Sequence, residues 1–177
     1  MNEIITSGSY IRPLKADDLS MIMKWRNHPN VRKYMFSQHE ISNEEHKCWF
    51  DNCVNDKKRH LFLFEKDGIP LGFVSFYEVN EGNITDWGFY LSPQAPKGTG
   101  YLLGKTALSY AFDKLNSHKI CGQVLSYNQK SIDFHLRLGF KEEGNLREQH
   151  FDGENYHSVI IFGLLKSESQ TSRQGLK

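Results

Sequence analysis

Apolar residues near the N-terminus recur with the spacing of helices. Asp17 is predicted to cap a first helix, and Pro29 ends it, because proline disfavours helical backbone in the residue before it. A second short helix is predicted at residues 30–35. Ser42 and Glu45 have the spacing of a capping box, and the apolar positions after them predict an amphipathic helix of about three turns.

Shorter apolar runs bounded by turn residues predict strands. In the first half of the chain they lie at residues 10–13, 60–65, 70–79 and 84–91. The last three are separated by a Lys-Asp-Gly turn and by an Asn- and Gly-rich turn, which is typical of an antiparallel meander.

The second half of the chain alternates between helices and strands. Helices are predicted at residues 100–115 and 131–138, and strands at residues 119–125, 140–151 and 156–165. Gly139 stands where a left-handed residue would end the second helix. The order predicts an α/β (α+β) fold whose mixed, mainly antiparallel seven-stranded sheet is flanked by about four helices, and not a doubly wound sheet.

Composition indicates one globular domain. Of the 177 residues, 38% are hydrophobic and 24% are charged, which excludes a disordered or fibrous chain. Residues 1–165 are predicted to form the domain. Residues 166–177 contain one large apolar residue, Leu176, and are predicted to be a disordered tail.

Charge and cysteine content narrow the function classes. Lys and Arg number 22 and Asp and Glu 21, so no bulk positive charge favours a nucleic-acid partner. No apolar run approaches the roughly 20 residues of a membrane helix, and the N-terminal residues lack the pattern of a secretory signal. The scattered Cys48, Cys53 and Cys121 match no metal spacing. We therefore expect a cytoplasmic protein without a metal or a membrane partner.

A glycine-rich segment, Gly98-Thr99-Gly100, stands between a predicted strand and a long helix. Such a turn exposes backbone N–H groups at a helix N-terminus, where a phosphate binds well. By itself the pattern favours an ordinary tight turn, and it matches neither the dinucleotide-binding nor the P-loop spacing.

A second motif, NQKSIDFHLRLGF, begins at Asn128 and runs through Ser131, His135 and Gly139. Alone it describes a capped helix. Together, in this order and in these elements, the two motifs resemble the GNAT acetyltransferase superfamily over roughly residues 62–165.

The resemblance implies that the strand ending at Leu91 splays from its neighbour and that acetyl-CoA lies in the gap. The implied cofactor contacts are Leu91, Lys97, Gly98, Thr99, Gly100, Tyr101, Asn128 and Ser131. An amide on the Leu91 side would polarise the thioester carbonyl. Ala95 departs from the family, which has Gln or Arg there, whereas Gln94 comes one residue early.

The resemblance is less specific about the residues that transfer protons than about those that bind the cofactor. His135 occupies the position of a tyrosine that protonates the departing thiolate in many family members, and Tyr127 is the alternate acid. A packing role for His135 is the competing interpretation. The base that deprotonates the amine is left open among Glu78, Asp86, His46 and a chain of water molecules.

The N-terminal segments WRNHPNVRKYMF and ISNEEHKCWF narrow the resemblance. They are similar to bacterial sugar acetyltransferases that act on UDP-4-amino-4,6-dideoxy-N-acetyl-β-L-altrosamine in pseudaminic acid biosynthesis. This implies direct transfer of acetyl to a sugar 4-amino group in a ternary complex. The candidate acceptor-binding residues are Arg26, Arg32, His46 and Tyr90. Guanidinium groups suit the nucleotide diphosphate.

Two other functions compete with this interpretation. Ribosomal-protein and peptide N-terminal acetyltransferases of the RimJ/RimL type share the WRN-like segment and the motif at Asn128. A non-catalytic module that binds acyl-CoA is the second alternative. The oligomeric state is left open, with a homodimer as one arrangement.

Overall fold

One seven-stranded sheet forms the centre of the computed structural model, which describes residues 8–169. Its strands are β1 (Ser9–Pro13), β2 (Arg59–Lys66), β3 (Ile69–Glu78), β4 (Ile84–Leu91), β5 (Lys119–Leu125), β6 (Lys141–Phe151) and β7 (Tyr156–Leu165). They lie in the order β1-β2-β3-β4-β5-β7-β6. Only β4 and β5 pair in parallel. The predicted mixed, mainly antiparallel sheet is therefore confirmed.

The helices connect and cover the strands. In chain order they are a short 3₁₀ helix (Ala16–Asp18), α1 (Leu19–Asn27), α2 (Pro29–Arg32), α3 (Asn43–Asn55), α4 (Thr99–Asp113) and α5 (Gln129–Arg137). The four longer helices were predicted, whereas α2 ends earlier than expected. Within residues 8–169, no helix is long and apolar enough to cross a membrane.

The predicted cap at Asp17 is wrong. The chain first makes the 3₁₀ turn, and the neighbouring Asp18 has other partners. Its carboxylate accepts a hydrogen bond from the backbone N–H of Lys15 at 2.8 Å and pairs with Arg12 of β1 at 2.7 Å. The start of α1 is therefore fixed by Asp18, through its bond to Lys15 N–H and its ion pair with Arg12, and not by Asp17.

The boundary of the expected C-terminal tail also shifts. Residues 166–169 form a helical turn directly after β7, and the Glu168 carboxylate accepts a hydrogen bond from the backbone N–H of Leu165 at 3.0 Å. The expectation of disorder is therefore wrong for residues 166–169. Residues 170–177 lie outside the described residues.

The two faces of the sheet carry separate apolar clusters, because alternate side chains of a strand point to opposite faces. On one face, Val74 and Trp87 pack with α4 through Leu103. On the other face, Leu63 and Phe73 pack with α1 and α3. We call the second surface the α3 face. Thus each of the two faces is covered by helices of one half of the chain.

The pairing of β4 with β5 ends early. It covers Ile84 with Lys119, Thr85 with Ile120 and Asp86 with Cys121. Beyond Asp86, β4 continues along β3 up to Leu91, while β5 continues along β7. A V-shaped gap therefore opens between β4 and β5, as the family resemblance implied.

Candidate active site

The backbone of β4 lines one side of this gap. Ser92 N donates to Leu71 O at 2.9 Å, and Val79 N donates to Ile84 O at 2.8 Å, so even-numbered residues of β4 bond to β3. The residues between them direct their N–H and C=O groups towards the gap. Beyond the paired segment these are Trp87, Phe89 and Leu91. The Leu91 amide thus faces the gap, where its predicted role requires it.

The turn before α4 presents further N–H groups. Gly98 has a φ of 92°, a left-handed conformation that favours glycine, and it caps α4. Among the described residues, no backbone carbonyl accepts a hydrogen bond from the N–H groups of Gly98, Gly100 and Tyr101. Thr99 is buried, and its hydroxyl donates to Pro96 O at 2.7 Å, so its side chain holds the turn together.

These features fit the phosphates of acetyl-CoA. Free N–H groups at the N-terminus of a 15-residue helix attract an anion. Lys97 is exposed beside them and can add a positive charge. The Asn128 carboxamide oxygen accepts a hydrogen bond from Ser131 N at 3.2 Å, so Asn128 caps α5. Contacts of Lys97, Asn128 and Ser131 with the cofactor stay predictions.

His135 does not have the environment of a proton donor. It is 2% exposed and lies between the rings of Phe162 and Phe140, each with its centroid 5.0 Å away. Its Nδ1 lies 2.7 Å from Ser131 O and its Nε2 accepts from the indole N–H of Trp87 at 3.2 Å. Burial lowers its pKa to about 4. Both ring nitrogens are therefore engaged inside the core, which favours a packing role, and the acid role of His135 stays a prediction.

Tyr127, the alternate acid, is also engaged. Its hydroxyl donates to Lys33 O at 3.0 Å and accepts from the Gln38 amide at 2.8 Å. Burial raises its pKa. These bonds tie the end of β5 to the segment after α2, so the geometry favours a positioning role for Tyr127 over proton donation.

Three of the predicted acceptor-binding residues come together on the α3 face. One guanidinium nitrogen of Arg26, Nη2, donates to Ser37 O at 2.6 Å, while Nη1 is buried without a hydrogen-bond partner among the described residues. Burial lowers the pKa of Arg26 and raises that of Tyr90, and the two groups influence each other electrostatically. His46 stacks on Trp49 at 5.0 Å, and burial and the Arg26 charge lower its pKa.

Arg32, the fourth predicted residue, lies on the edge of this group. Its guanidinium pairs with Glu40 at 3.6 Å, and its charge contributes to the lowered pKa of Arg26. Arg32 therefore adds positive potential near Arg26, while its guanidinium is paired with the Glu40 carboxylate.

A groove of about 290 Å³ extends along the α3 face beside β4. Its lining includes residues of α3 and of the three meander strands β2, β3 and β4: Trp49, Cys53, Arg59, Leu61, Ser75, Tyr77 and Asp86. The Arg59 guanidinium lies over the Tyr77 ring, 4.5 Å from its centroid. The sequence analysis missed Arg59 and Tyr77, because no local spacing connects two residues that meet only across β2 and β3.

Comparison with known proteins establishes the family. The acetyltransferase (GNAT) domain family matches residues 10–141, so the chain belongs to the GNAT acetyltransferases. With the splayed strands and the N–H-lined turn, this makes the protein an acetyl-CoA-dependent N-acetyltransferase. Within residues 8–169, no group of three or more His, Cys, Asp or Glu residues is placed to hold a metal.

Relatives with different names match this chain to a similar degree. It is 29% identical over 152 residues to the spermidine N(1)-acetyltransferase of Escherichia coli K12, covering 85% of this chain and 82% of that protein. It is 29% identical over 127 residues to acetyltransferase PseH of Campylobacter jejuni, covering 72% and 79%. The crystal structure of Vibrio cholerae spermidine N-acetyltransferase with CoA and spermine superposes with a TM-score of 0.85 at 28% identity, covering 93% and 99%. The comparisons thus establish acetyl transfer from acetyl-CoA as the reaction, but they do not identify the molecule that accepts the acetyl group.

Proposed function

We propose that the enzyme acetylates the 4-amino group of a UDP-4-amino-4,6-dideoxy-N-acetyl-altrosamine-type nucleotide sugar, in cytoplasmic pseudaminic acid biosynthesis for flagellin or surface glycan modification. The observation that carries the proposal is the buried Nη1 of Arg26, which has no partner among the described residues. A buried guanidinium N–H without an acceptor is costly, so a ligand oxygen is expected to satisfy it.

The charge of this site discriminates between acceptors. Arg26 can bind a phosphate oxygen with a charge-assisted hydrogen bond. The ammonium groups of spermidine carry donors only, so they cannot satisfy Arg26, and Arg32 adds further repulsion. An anionic acceptor is therefore favoured over a polyamine, despite the similarity to the spermidine enzymes.

The aromatic surroundings also suit a nucleotide sugar. The half-buried rings of Trp49 and Tyr90 pack on the buried rings of His46 and Phe73, with 5.0 Å between ring centroids in each pair. Such surfaces bind flat bases and the apolar face of a deoxysugar.

A CoA-release assay tests the acceptor directly. Purified enzyme is given UDP-4-amino sugars, spermidine and N-terminal peptides at matched concentrations. We expect the highest kcat/KM with a UDP-4-amino sugar. A higher kcat/KM with spermidine or with a peptide would overturn the nucleotide-sugar assignment.

Replacing Arg26 tests the observation itself. Arg26→Gln should raise the KM for the UDP-sugar about tenfold or more and leave the KM for acetyl-CoA within about twofold, because a hydrogen bond to a charged group is worth about 1.5–3 kcal/mol. Lys24→Gln, which removes an exposed positive charge from the same helix, is the matched control. Equal small effects of both variants would assign Arg26 a structural role.

A further inference from the structure

Three side chains outside the groove form one hydrogen-bonded chain. Ser37 and His39 lie between α2 and α3, and Glu45 lies in the first turn of α3. The Ser37 hydroxyl is 2.9 Å from Nδ1 of His39, and Nε2 of the same ring is 2.8 Å from one Glu45 oxygen and 3.0 Å from the other. A hydroxyl, an imidazole and a carboxylate in this order can activate the hydroxyl oxygen as a nucleophile. We call the three side chains the Ser37 relay.

The two partners of His39 assign the proton on its ring. An ionised carboxylate only accepts hydrogen bonds, so Nε2 must carry the proton and donate it to Glu45. In the neutral ring Nδ1 then has a lone pair, which accepts the hydrogen bond of the Ser37 hydroxyl. His39 is therefore oriented to take the hydroxyl proton as a general base.

Other histidines that bind a carboxylate lack this arrangement. The His60 ring lies 2.9 Å from Glu78, and the His157 ring lies 2.6 Å from Asp152. Within residues 8–169, neither ring has a serine or threonine hydroxyl hydrogen-bonded to its other nitrogen. Of these three histidines, only His39 connects a hydroxyl to a carboxylate.

The backbone that carries the relay is anchored at several points. The carbonyl of Ser37 accepts a hydrogen bond from Nη2 of Arg26 at 2.6 Å. The Asn27 carboxamide makes two hydrogen bonds of 2.8 Å with the backbone N–H and C=O of Ile41. Glu45 is part of a 13-residue helix. Because catalysis by a nucleophile depends on fixed geometry, this anchoring favours a reactive arrangement over a chance contact.

The relay is open to small molecules. Ser37 is exposed, and the side chains of His39 and Glu45 are 57% and 48% exposed. The Arg26 guanidinium, bonded to the Ser37 carbonyl, brings a positive charge close to the hydroxyl, and such a charge stabilises a developing oxyanion. Water screens charges at an open site, so the gain in rate is smaller than in a closed one.

We propose that the Ser37 relay is a second acyl-transfer centre, which hydrolyses small carboxylic esters. Ser37 and His39 are its catalytic residues, and Glu45 is a positioning residue that acts through His39. The inference goes beyond the proposed function and does not depend on which amine the enzyme acetylates.

The reaction balances with water as the only co-reactant. Ser37 Oγ forms a bond to the ester carbonyl carbon while its proton passes to Nδ1 of His39. The bond from that carbon to the leaving oxygen then breaks, and the leaving oxygen takes the proton from His39. In the second half, water attacks the acyl-serine and gives a proton to His39. The Ser37 oxygen leaves with that proton, and the carboxylic acid is released.

Hydrolysis of p-nitrophenyl acetate by the purified enzyme without acetyl-CoA tests the centre. Ser37→Ala and His39→Gln should each lower kcat/KM at least about tenfold, the low end for an exposed site. Glu45→Gln should lower kcat a few-fold and leave KM unchanged, because the carboxylate acts on the imidazole and not on the ester. The matched control is His60→Gln, which removes another carboxylate-bound histidine and should stay within about twofold of the wild type.

A fluorophosphonate probe separates an activated serine from hydrolysis by surface imidazoles, because it forms a stable bond to the serine oxygen. Mass spectrometry should find the probe on Ser37 in the wild type and in His60→Gln. Labelling should fall at least about tenfold in His39→Gln. A probe found only on other residues, or hydrolysis that Ser37→Ala leaves within about threefold of the wild type, would overturn the proposal.

Discussion

The buried ring of His135 should make the stability of the fold depend on pH. Its pKa is about 4 in the folded protein, against about 6.5 for an exposed histidine. Between these pH values the histidine is protonated in the unfolded chain but stays neutral in the folded protein. The contribution of His135 to the free energy of unfolding is therefore complete above pH 6.5 and is lost as pH falls towards 4.

The size of the effect follows from the shift. Each pKa unit corresponds to about 1.4 kcal/mol, so the full loss at low pH is about 3 kcal/mol, and the loss between pH 7 and pH 5 is about 2 kcal/mol. His135→Leu removes the titrating ring at similar volume. It also leaves the Trp87 indole N–H without its acceptor, which should cost about 1–3 kcal/mol at pH 7.

Urea unfolding at pH 7 and pH 5 measures these terms. The wild type should lose about 2 kcal/mol more than His135→Leu over this interval, since contributions from other histidines cancel in the comparison. If the wild type and His135→Leu lose equal stability, the ring is not a neutral core residue, and its role as an acid must be reconsidered.

Two further variants test the site on either side of the sheet. Gly98→Val should weaken acetyl-CoA binding at least about tenfold, as measured by calorimetry. The control is Gly153→Val, which is strained in the same way at a φ of 105° but lies in the β6–β7 turn. It should lose stability and keep its affinity for acetyl-CoA. Tyr127→Phe should raise the acceptor KM a few-fold with an unchanged kcat–pH profile, because it releases Lys33 and Gln38. A tenfold fall in kcat with a lost pH limb would instead make Tyr127 the acid.

Periodicity and turn chemistry sufficed to predict most of the fold. The strand boundaries of the meander follow from alternation and from two polar turns, which are local properties. Gly139 has a φ of 94°, as its position after α5 predicted. The same local reasoning failed at Asp17, because a 3₁₀ turn precedes α1 and Asp18, not Asp17, accepts from the Lys15 N–H and pairs with Arg12.

The candidate site was harder to predict, because its properties depend on burial. The motif position of His135 pointed to proton donation, but the partner that fixes its ring is Trp87, 48 residues away in sequence. Likewise, Asp86 and Glu78 were equivalent as carboxylates on neighbouring strands. Only the register of β3 with β4, which puts Asp86 opposite Tyr77 and Glu78 opposite Thr85, assigns them to opposite faces.

The polarity of the acceptor surface favours a particular kind of substrate. Arg26, with its unpartnered nitrogen, lies by Tyr90, and the unpartnered Asp86 carboxylate lies four residues earlier on the same face of β4, about 13 Å away along the strand. Each is an unpaired charge that weakens the fold unless a ligand compensates it. A polyamine could compensate only Asp86, and a simple anion only Arg26. A molecule with a negatively charged diphosphate at one end and an ammonium group at the other compensates both charges, and the proposed nucleotide sugar has this chemistry.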